Sequence, residues 1–342
     1  MLDKTESRPT SGPAPFGASA MQLSVIVPTH DRAALLSRTL QALARQSLAP
    51  SEFEVIVVDD GSSAAQREQV RALRRQWDFT LVEQERGGLA SARNRGAERA
   101  QGTILLFLDD DVEPARDALE QHLEAHAGAG RPAAVIGALP YPAGIRPDPF
   151  LWYMEQSTHY DLYKNPKKYP GGSPPLPPLN GNSSIPRELF LGIGKYDEAF
   201  RQYGGEDLEL GYRLARAGAR FVYRPQAIGY HHHLKSFEQF CADMEAAGES
   251  LIRIYRKYPE IKAAKKIDVL VDSYAELPAG RKIVKLIMSA SLRFPWLLRL
   301  PRWWIRLGGR HYALRHLLFP FYRWVAHAHY SAGMRRGLAR PA

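Results

Sequence analysis

The chain has 342 residues, which is long for one simple domain and short for two large ones. Its hydrophobic content of 45% supports an ordinary globular core. Its one cysteine, Cys241, excludes an intrachain disulfide and fits a reducing compartment. The sequence contains no run of about 18 apolar residues, so we do not expect a transmembrane helix.

The net charge of +10 is unevenly distributed. Residues 281–342 contain 13 Lys or Arg and no Asp or Glu, which leaves 33 basic and 36 acidic residues before them. The body of the chain is therefore slightly acidic, and the excess positive charge indicates a separate role for the tail. Residues 1–20 are rich in Ser, Pro, Gly and Ala and lack the apolar segment of a signal peptide, so we predict a disordered leader.

Strands and helices alternate along the first half of the chain. Apolar runs predict strands at 23–27, 53–58, 79–82, 103–108 and 133–139, and helical spacing predicts helices at 33–46, 64–76, 87–100 and 114–127. This alternation predicts βαβ units and a parallel sheet. Residues 141–179 lose the pattern, which predicts a long mobile connection of the kind that often forms a functional lid. A helix at 204–217, a strand at 221–223 and a helix at 237–258 follow.

One predicted strand stops at three carboxylates, Asp109, Asp110 and Asp111. Ligands of parallel sheets bind beyond the carboxyl ends of the strands. Because alternate side chains of an extended chain point the same way, Asp109 and Asp111 can converge while Asp110 points elsewhere. Carboxylate oxygens suit Mg²⁺ or Mn²⁺, which often bind through one or two carboxylates and substrate phosphates. A solvated acidic turn before the next helix is the alternative.

Taken together, the motifs of this chain resemble those of the family 2 glycosyltransferases, whose nucleotide-sugar-binding domain has the GT-A fold. They are VIVPTHDR (25–32), VVDDGS (57–62), GLASARN (88–94), FLDDDVEP (107–114) and GGEDLELGYRLARAG (204–218). Each is weak alone, but five in the family's order are a strong signal. The resemblance implies an α/β GT-A domain over residues 21–235, Rossmann-like, with a mostly parallel sheet flanked by helices. A basic helical region at 236–342 would follow. The resemblance also implies transfer of a sugar from a nucleotide diphosphate donor with inversion at the anomeric carbon.

The resemblance carries donor-binding roles onto matching positions. The implied nucleoside pocket consists of Pro28, Thr29, Asp31 and Asp60. For Asp31 a helix N-cap is an additional reading. Gly88 would let the backbone approach the ligand closely, and Arg93 would either face the diphosphate or lie exposed on its helix.

Asp109 and Asp111 resemble the family's DxD motif, with Asp110 counted among the donor-binding residues and Asp111 favoured for direct metal contact. A divalent cation, Mg²⁺ or Mn²⁺, would hold the diphosphate and offset the charge on the departing nucleotide. His231 lies where some members place a metal-binding histidine. The alternative is that His231 belongs to an exposed turn of three histidines.

Asp207 resembles the family's catalytic base, and Glu206 stands beside it. A sugar hydroxyl is a poor nucleophile, so a carboxylate must take its proton as the new bond forms. Gly204 and Gly205 would keep the approach open. In the alternative interpretation, the two carboxylates merely complement the dipole of the helix that they begin.

Two features bear on the acceptor. Processive synthases of the family carry a Gln-x-x-Arg-Trp signature and membrane-spanning helices, whereas here Arg323-Trp324 has Pro320 at the glutamine position. We therefore predict single addition. The connection at 141–179 matches no family pattern, and we expect acceptor specificity to lie there.

The tail contains four of the six tryptophans, Trp296, Trp303, Trp304 and Trp324, interleaved with arginines. Aromatic and basic residues on short helices favour a bilayer interface. A helical lid packed on the domain is an alternative, and nucleic acid is another, without any supporting fold signature. We predict a peripheral enzyme at the cytoplasmic face of the cell membrane, with a glycan or lipid-linked acceptor and no nucleic acid. The rival class is a non-catalytic sugar-nucleotide-binding or scaffold protein that retains the fold.

Overall fold

The computed structural model describes residues 21–146, 148–157, 177–201, 204–262 and 267–340. The predicted leader at 1–20 and residues 158–176 of the predicted connection lie outside this range.

The first half of the described chain alternates strands and helices. In order these are β1 (Leu23–Thr29), α1 (Ala33–Leu43), β2 (Phe53–Asp60), α2 (Ala64–Leu73), β3 (Thr80–Gln84), α3 (Leu89–Arg99), β4 (Ile104–Leu108), β5 (Val112–Pro114), α4 (Ala118–Ala127) and β6 (Ala133–Ala138). The second half is mainly helical. It comprises α5 (Pro149–Ser157), β7 (Asn182–Pro186), α6 (Arg187–Gly192), α7 (Glu206–Arg216), β8 (Arg220–His231), α8 (Phe237–Lys257), α9 (Asp268–Val271), α10 (Ala279–Arg293), α11 (Arg299–Gly308) and α12 (Arg315–Ala339).

The described strands form one eight-stranded sheet in the order β3-β2-β1-β4-β7-β6-β8-β5. Strands β1 to β4 pair in parallel, and so do β6 and β8. Strand β7 is antiparallel to both of its neighbours, β4 and β6, and β5 is antiparallel to β8. The prediction of an α/β fold with a mostly parallel sheet is confirmed, and the antiparallel strands β7 and β5 make the sheet mixed.

Several predicted bounds were wrong, and tertiary pairing explains each difference. The helix predicted from Pro114 begins at Ala118, because residues 112–114 instead pair with the end of β8. Strand β8 continues to His231 instead of ending at Tyr223. Within the predicted mobile connection, residues 149–157 form helix α5, whose ring of Phe150 packs against Phe237 and Tyr322.

Helices cover both faces of the sheet, so its central strands are buried on both sides. One core cluster contains Ile26, Phe107, Phe190 and Leu210, between the sheet and helices α3, α6 and α7. A second contains Val25, Leu36, Leu106 and Leu119, between the sheet and helices α1 and α4. Strand β4 therefore ends in the middle of a rigid layer, which fixes the position of the carboxylates that follow it.

The C-terminal helices pack on the domain through α8 and α12. Aromatic and aliphatic side chains of α5, α8, α11 and α12 form a third cluster, and a fourth joins α7 and α8 to α12. The Trp324 indole N–H donates to Ser291 Oγ at 2.9 Å, which ties α12 to α10. Among the described residues no helix is both long and apolar enough to cross a bilayer.

Candidate active site

A buried arginine joins the strand end to the start of helix α7. Arg93 lies on α3, and its side chain is 1% exposed. Its Nη2 donates to Asp109 Oδ1 at 3.0 Å, and its Nη1 donates to Asp207 Oδ1 at 2.8 Å. Because both nitrogens belong to one guanidinium, the predicted donor-side carboxylate and the predicted base lie next to each other. The expectation of an exposed helix arginine was wrong.

Glu206 and Asp207 occupy the first turn of α7, as the sequence predicts. Asp207 is partly open, with 23% of its side chain exposed, and it also accepts a hydrogen bond from the Tyr196 hydroxyl at 3.2 Å. Glu206 is buried, 3.7 Å from Arg93 Nη1. Burial, reinforced by the charge of Asp207, raises the pKa of Glu206 to about 8. Of the two carboxylates, Asp207 is the one that is accessible from solvent.

Burying the Arg93 guanidinium would be costly without its partners. Burial disfavours its charge, but the surrounding carboxylates, Asp207 first, hold the pKa of Arg93 well above its usual range. The same burial raises the pKa of the Tyr196 hydroxyl, which keeps that group a hydrogen-bond donor. The cluster thus combines a fixed positive charge, a fixed phenol and an accessible carboxylate.

Asp111 and His231 meet because β5 pairs with β8, with Val112 opposite His231. His231 Nε2 lies 3.4 Å from Asp111 Oδ1, and Arg32 Nη1 donates to Asp111 Oδ2 at 3.1 Å. Although burial opposes its charge, His231 and Arg32 hold the pKa of Asp111 below its usual range. His231 is the last residue of a strand, so the alternative of an exposed histidine turn is wrong for this residue.

These residues fit a divalent cation. Asp111 Oδ1 is buried, and its close neighbour among the described residues is His231 Nε2 at 3.4 Å, a contact that does not meet hydrogen-bond geometry, so a cation between the two groups would satisfy both. No group of three or more His, Cys, Asp or Glu within the described ranges could hold a metal ion by itself. Mg²⁺ and Mn²⁺ sites of transferases need no such cage, since substrate phosphates and water complete the coordination.

Asp110 and Asp111 lie in a turn after β4 and not on an extended strand, so the predicted alternation of side chains does not apply to them, and Arg32 Nη1 contacts both carboxylates. Asp110 is 4% exposed, and its Oδ2 accepts a hydrogen bond from Thr29 Oγ1 at 2.7 Å. Burial raises the pKa of Asp110 to about 7, although the Thr29 hydroxyl opposes this shift. In this arrangement Asp110 and Thr29 lock β1 to the carboxylate turn, and donor contact by either residue stays a prediction.

The residues of the predicted nucleoside pocket lie together at the ends of the adjacent strands β1 and β2. Asp60 accepts hydrogen bonds from the backbone N–H groups of Gly87 and Gly88, at 2.7 and 2.9 Å, and from Gln84. This carboxylate therefore fixes the Gly-Gly turn before α3. Pro28 is buried in β1.

Asp31 does not cap helix α1, because the N-cap position is Arg32 and its side chain makes no capping hydrogen bond. The Asp31 carboxylate instead accepts hydrogen bonds from the backbone N–H and hydroxyl of Ser63, both at 2.8 Å. It joins the two loops that follow β1 and β2, and 44% of its side chain remains exposed. The N-cap interpretation was wrong, and the pocket interpretation stays a prediction.

Three contributors to the site had no role in the sequence prediction. Arg32 lies within a recognised motif but was given no partner, and it contacts Asp110 as well as Asp111. Tyr196 lies in a segment without any motif. Gly181 leaves room for Asp109, since a Cβ there would lie 2.0 Å from Asp109 Oδ2. The Asn-Gly-Asn sequence around Gly181 was the one available signal of a close backbone approach.

Comparison with known proteins gives consistent results. Residues 24–173 match the family model described as Glycosyl transferase family 2, and residues 176–236 match one described as N-terminal domain of galactosyltransferase. Glycosyltransferase AglE of Haloferax volcanii is 36% identical over 238 residues, covering 68% of this chain and 74% of that protein. Validoxylamine A glucosyltransferase of Streptomyces hygroscopicus subsp. limoneus is 32% identical over 273 residues, covering 70% of this chain and 57% of that protein. This chain therefore spans little more than half the length of the latter relative.

Among solved structures, a mannosyltransferase from Pyrobaculum calidifontis in complex with GDP-Man and Mn²⁺ superposes with a TM-score of 0.62 at 20% identity. The match covers 93% of this chain and 87% of that one, and it concerns the fold. The sequence identity to AglE and the meeting of the motif residues at one edge of the sheet lead to the same conclusion. The chain belongs to glycosyltransferase family 2 and has the GT-A fold.

Proposed function

We propose that residues 21–235 catalyse metal-dependent transfer of one sugar from a nucleotide diphosphate donor to a hydroxyl of a glycan or lipid-linked acceptor, with inversion. The observation that carries the proposal is the Arg93 bridge, which holds Asp207 beside the carboxylates at the end of β4. A base for the acceptor and an acidic site for the donor are thereby adjacent, as a direct displacement requires.

Asp111 and His231, with Asp109, would hold a divalent cation together with the diphosphate. When bound, the cation would neutralise charge that develops on the departing nucleotide diphosphate. Asp207 would accept the proton of the acceptor hydroxyl while its oxygen attacks the anomeric carbon on the face opposite the nucleotide. The bond from that carbon to the phosphate oxygen breaks, and the products are an inverted glycoside, the nucleotide diphosphate and protonated Asp207.

Single addition is supported by the position of Arg323-Trp324. The Trp324 indole is used in packing against α10, through its hydrogen bond to Ser291. We also propose that the enzyme acts peripherally at the inner face of the cell membrane, where a lipid-linked acceptor would be found.

The first donor to test is a nucleotide diphosphate glucose, because the relative from Streptomyces is named a glucosyltransferase. Transfer and slow donor hydrolysis are measured with Mn²⁺ and with Mg²⁺. Nucleotide binding without either activity, over a panel of donors, would support the rival class of a non-catalytic sugar-nucleotide-binding protein.

The decisive variant is Asp207→Asn, which keeps the shape of the side chain but cannot take a proton. We expect transfer to fall by at least about 10²-fold, the low end for loss of a general base. Donor affinity should change little, because Asp207 would face the acceptor. The matched control is Asp197→Asn, at a carboxylate that pairs with Lys257. If Asp207→Asn transfers sugar within a few-fold of the wild type, the base lies elsewhere.

A further inference from the structure

Helix α11 presents three different faces. Its inner face, with Pro301, Ile305 and Gly308, is buried against the domain. Its outer face carries an apolar stripe of Leu300, Trp303, Trp304 and Leu307, at the spacing of i, i+3, i+4 and i+7. These side chains stay exposed, with Trp303 at 52% and Leu300 at 59%. A helix with one buried apolar face does not need a second one for folding, so the stripe calls for another explanation.

The third face of α11 is a row of arginines beside the stripe. Arg299, Arg302 and Arg306 follow one another at intervals of three or four residues and therefore lie on one side of the helix, and Arg310 follows just beyond its end. Arg302 contacts His329 of α12. Arg299, Arg306 and Arg310 are exposed, and no carboxylate in the described part of the chain pairs with them.

Helix α10 carries a second exposed apolar stripe. Ile283, Leu286 and Ile287 are 61%, 60% and 42% exposed, again at i, i+3 and i+4. Trp296, in the short turn between the two helices, is 59% exposed. Exposed apolar side chains thus occur on two consecutive helices, in a segment whose sequence contains no acidic residue after Glu276.

We propose that the outer surface of α10 and α11 binds an anionic lipid bilayer. This inference makes the proposed membrane location specific to one surface. Its biological purpose rests on the proposed function, whereas vesicle binding can be tested independently of that function. Tryptophans at the headgroup level, aliphatic side chains in the acyl boundary and a flanking row of arginines are what an interfacial helix needs. The arginines complement the negative charge of the inner leaflet.

Charge argues against the other partners. A second copy in a two-fold contact would bring the same unpaired arginine row to both sides of the interface, where like charges repel. Nucleic acid would attract the arginines but would leave the aliphatic residues of α10 and α11 without an apolar partner.

The test is cosedimentation with vesicles in the absence of donor and acceptor. Wild-type protein should bind phosphatidylcholine vesicles that contain phosphatidylglycerol, should bind pure phosphatidylcholine vesicles weakly, and should lose part of its binding as salt rises. The double variant Trp303→Ser, Leu307→Ser should bind the anionic vesicles at least about tenfold less well, because it loses apolar surface and no charge. Tyr274→Ser, at an aromatic side chain that is 50% exposed outside the two helices, should bind as the wild type does.

A second pair of variants tests the charge. Arg299→Gln, Arg306→Gln should reduce the preference for anionic vesicles and flatten the salt dependence. Arg45→Gln, Arg74→Gln removes the same charge from exposed positions of the body and should leave both unchanged.

Several outcomes would overturn the proposal. These are equal binding of all variants, a dimer in sedimentation velocity that the Trp303 and Leu307 changes dissociate, or tight binding to DNA or RNA with none to anionic vesicles. Donor hydrolysis is measured on the same preparations. Failure of the wild-type protein to bind anionic vesicles, with normal donor hydrolysis, then refutes this inference alone. Vesicle binding by a wild-type protein that shows neither hydrolysis nor transfer refutes the enzymatic function alone.

Discussion

Arg93 is the residue on which the geometry of the site depends. Its two partners, Asp109 and Asp207, come from segments far apart in the chain, and a single planar guanidinium sets the distance between them. A lysine would offer one charged nitrogen instead of two fixed directions, so it could not hold both carboxylates in the same way. The spacing between Asp109 and Asp207 therefore depends on one side chain.

The metal assignment can be tested with two neighbouring carboxylates. Asp111→Asn removes the charge from the oxygen that lacks a hydrogen bond, and the Mn²⁺-dependent part of nucleotide diphosphate binding should weaken by about tenfold or more. Asp110→Asn is the same change one residue away, at a group turned towards Thr29. It should leave the metal dependence intact, as calorimetry with and without Mn²⁺ would show. Equal metal dependence in wild type and Asp111→Asn would refute the assignment.

The sequence predicts the site residues that belong to motifs but not the contacts between them. Asp109, Asp111 and Asp207 were singled out by their motifs, although Asp109 and Asp111 follow the strand through a turn and not on an extended chain. The partners of Arg93 could not be predicted, because 114 residues separate Arg93 from Asp207 and helical spacing leaves the orientation of α3 open. Tyr196 reaches the site through the same tertiary packing and has no sequence signal of its own.

At the level of elements, helix α4 is fastened to the inserted strand β7 by a buried polar chain. His122 contacts Ser184 Oγ at 2.8 Å and Asn182 Oδ1 at 3.0 Å, and His126 Nε2 contacts Ser184 Oγ at 2.8 Å. The Asn182 amide N–H donates to the Ala227 carbonyl on β8 at 2.9 Å. The chain therefore connects one helix to two strands.

The donors and acceptors of this chain allow one arrangement of protons. Asn182 Oδ1 can only accept, so His122 Nε2 donates to it, and Nδ1 of the neutral His122 accepts from the Ser184 hydroxyl. His126 Nε2 then donates to Ser184 Oγ. A proton added to His122 Nδ1 would turn this acceptor into a donor and break the order. The arrangement requires a neutral His122, whereas His126 can donate through Nε2 in either charge state and is kept neutral by its burial.

We therefore expect acid to destabilise the fold through these two residues. Burial lowers the pKa of His122 to about 4 and that of His126 to about 3, from an ordinary value near 6.5. Between the ordinary pKa near 6.5 and the lowered pKa of the folded state, these histidines are protonated in the unfolded chain but not in the folded chain. The contribution of the two neutral histidines to the free energy of unfolding is fully present above about pH 6.5. It is lost as the pH falls towards 4 and 3, by up to about 1.4 kcal/mol per pH unit for each proton.

Urea unfolding between pH 7.5 and 4.5 measures this effect. In His122→Gln, which keeps polar atoms but cannot titrate, the free energy of unfolding should depend less steeply on pH. His311→Gln, at an exposed histidine after α11, should retain the wild-type slope. An unchanged slope in His122→Gln would mean that other groups cause the acid sensitivity.

Elements could be predicted where burial alone decides their pattern. The apolar runs of β1, β2 and β4 are buried on both sides of the sheet, and their sequences show it. Strand β7 has the sequence NSSIP, which is typical of a turn. It forms a buried strand because its polar side chains have hydrogen-bond partners on α4, which no local sequence pattern reveals. Helix α5 was missed because its aromatic residues pack on α8 and α12, far away in sequence.

On the scale of the whole molecule, the tail divides into two parts. Helix α12 crosses α8 at very close range, where a Cβ on Gly333 would lie 1.8 Å from the Glu245 carbonyl oxygen and a Cβ on Gly248 would lie 2.1 Å from that of Tyr330. The close packing of α12 agrees with the alternative in which the tail packs on the rest of the protein. The bilayer interpretation is thereby restricted to the exposed surface of α10 and α11.

A matched pair of glycine substitutions tests the importance of this crossing. Gly333→Ala places a methyl group against the backbone of α8 and should lower the free energy of unfolding by about 1–3 kcal/mol, through overpacking. Gly280→Ala adds the same group to helix α10, where nothing lies within 4 Å, and should raise it by up to about 1 kcal/mol. Thermal and urea unfolding would both reveal the difference. Equal effects of the two changes would contradict the close packing of α12 on α8.

The segregation of charge between body and tail gives the molecule a dipole moment. With 13 cations and no anion after residue 280, against 33 basic and 36 acidic residues before, the two parts respond with opposite sign to an external field. An anionic plane therefore exerts a torque on the molecule over about one Debye length, roughly 8 Å at physiological ionic strength. If the proposed binding to a bilayer holds, we expect the protein to turn before it touches the surface, so that successive molecules arrive in the same orientation. Collisions with the wrong side are then rare, and the capture rate falls as salt shortens the range of the field.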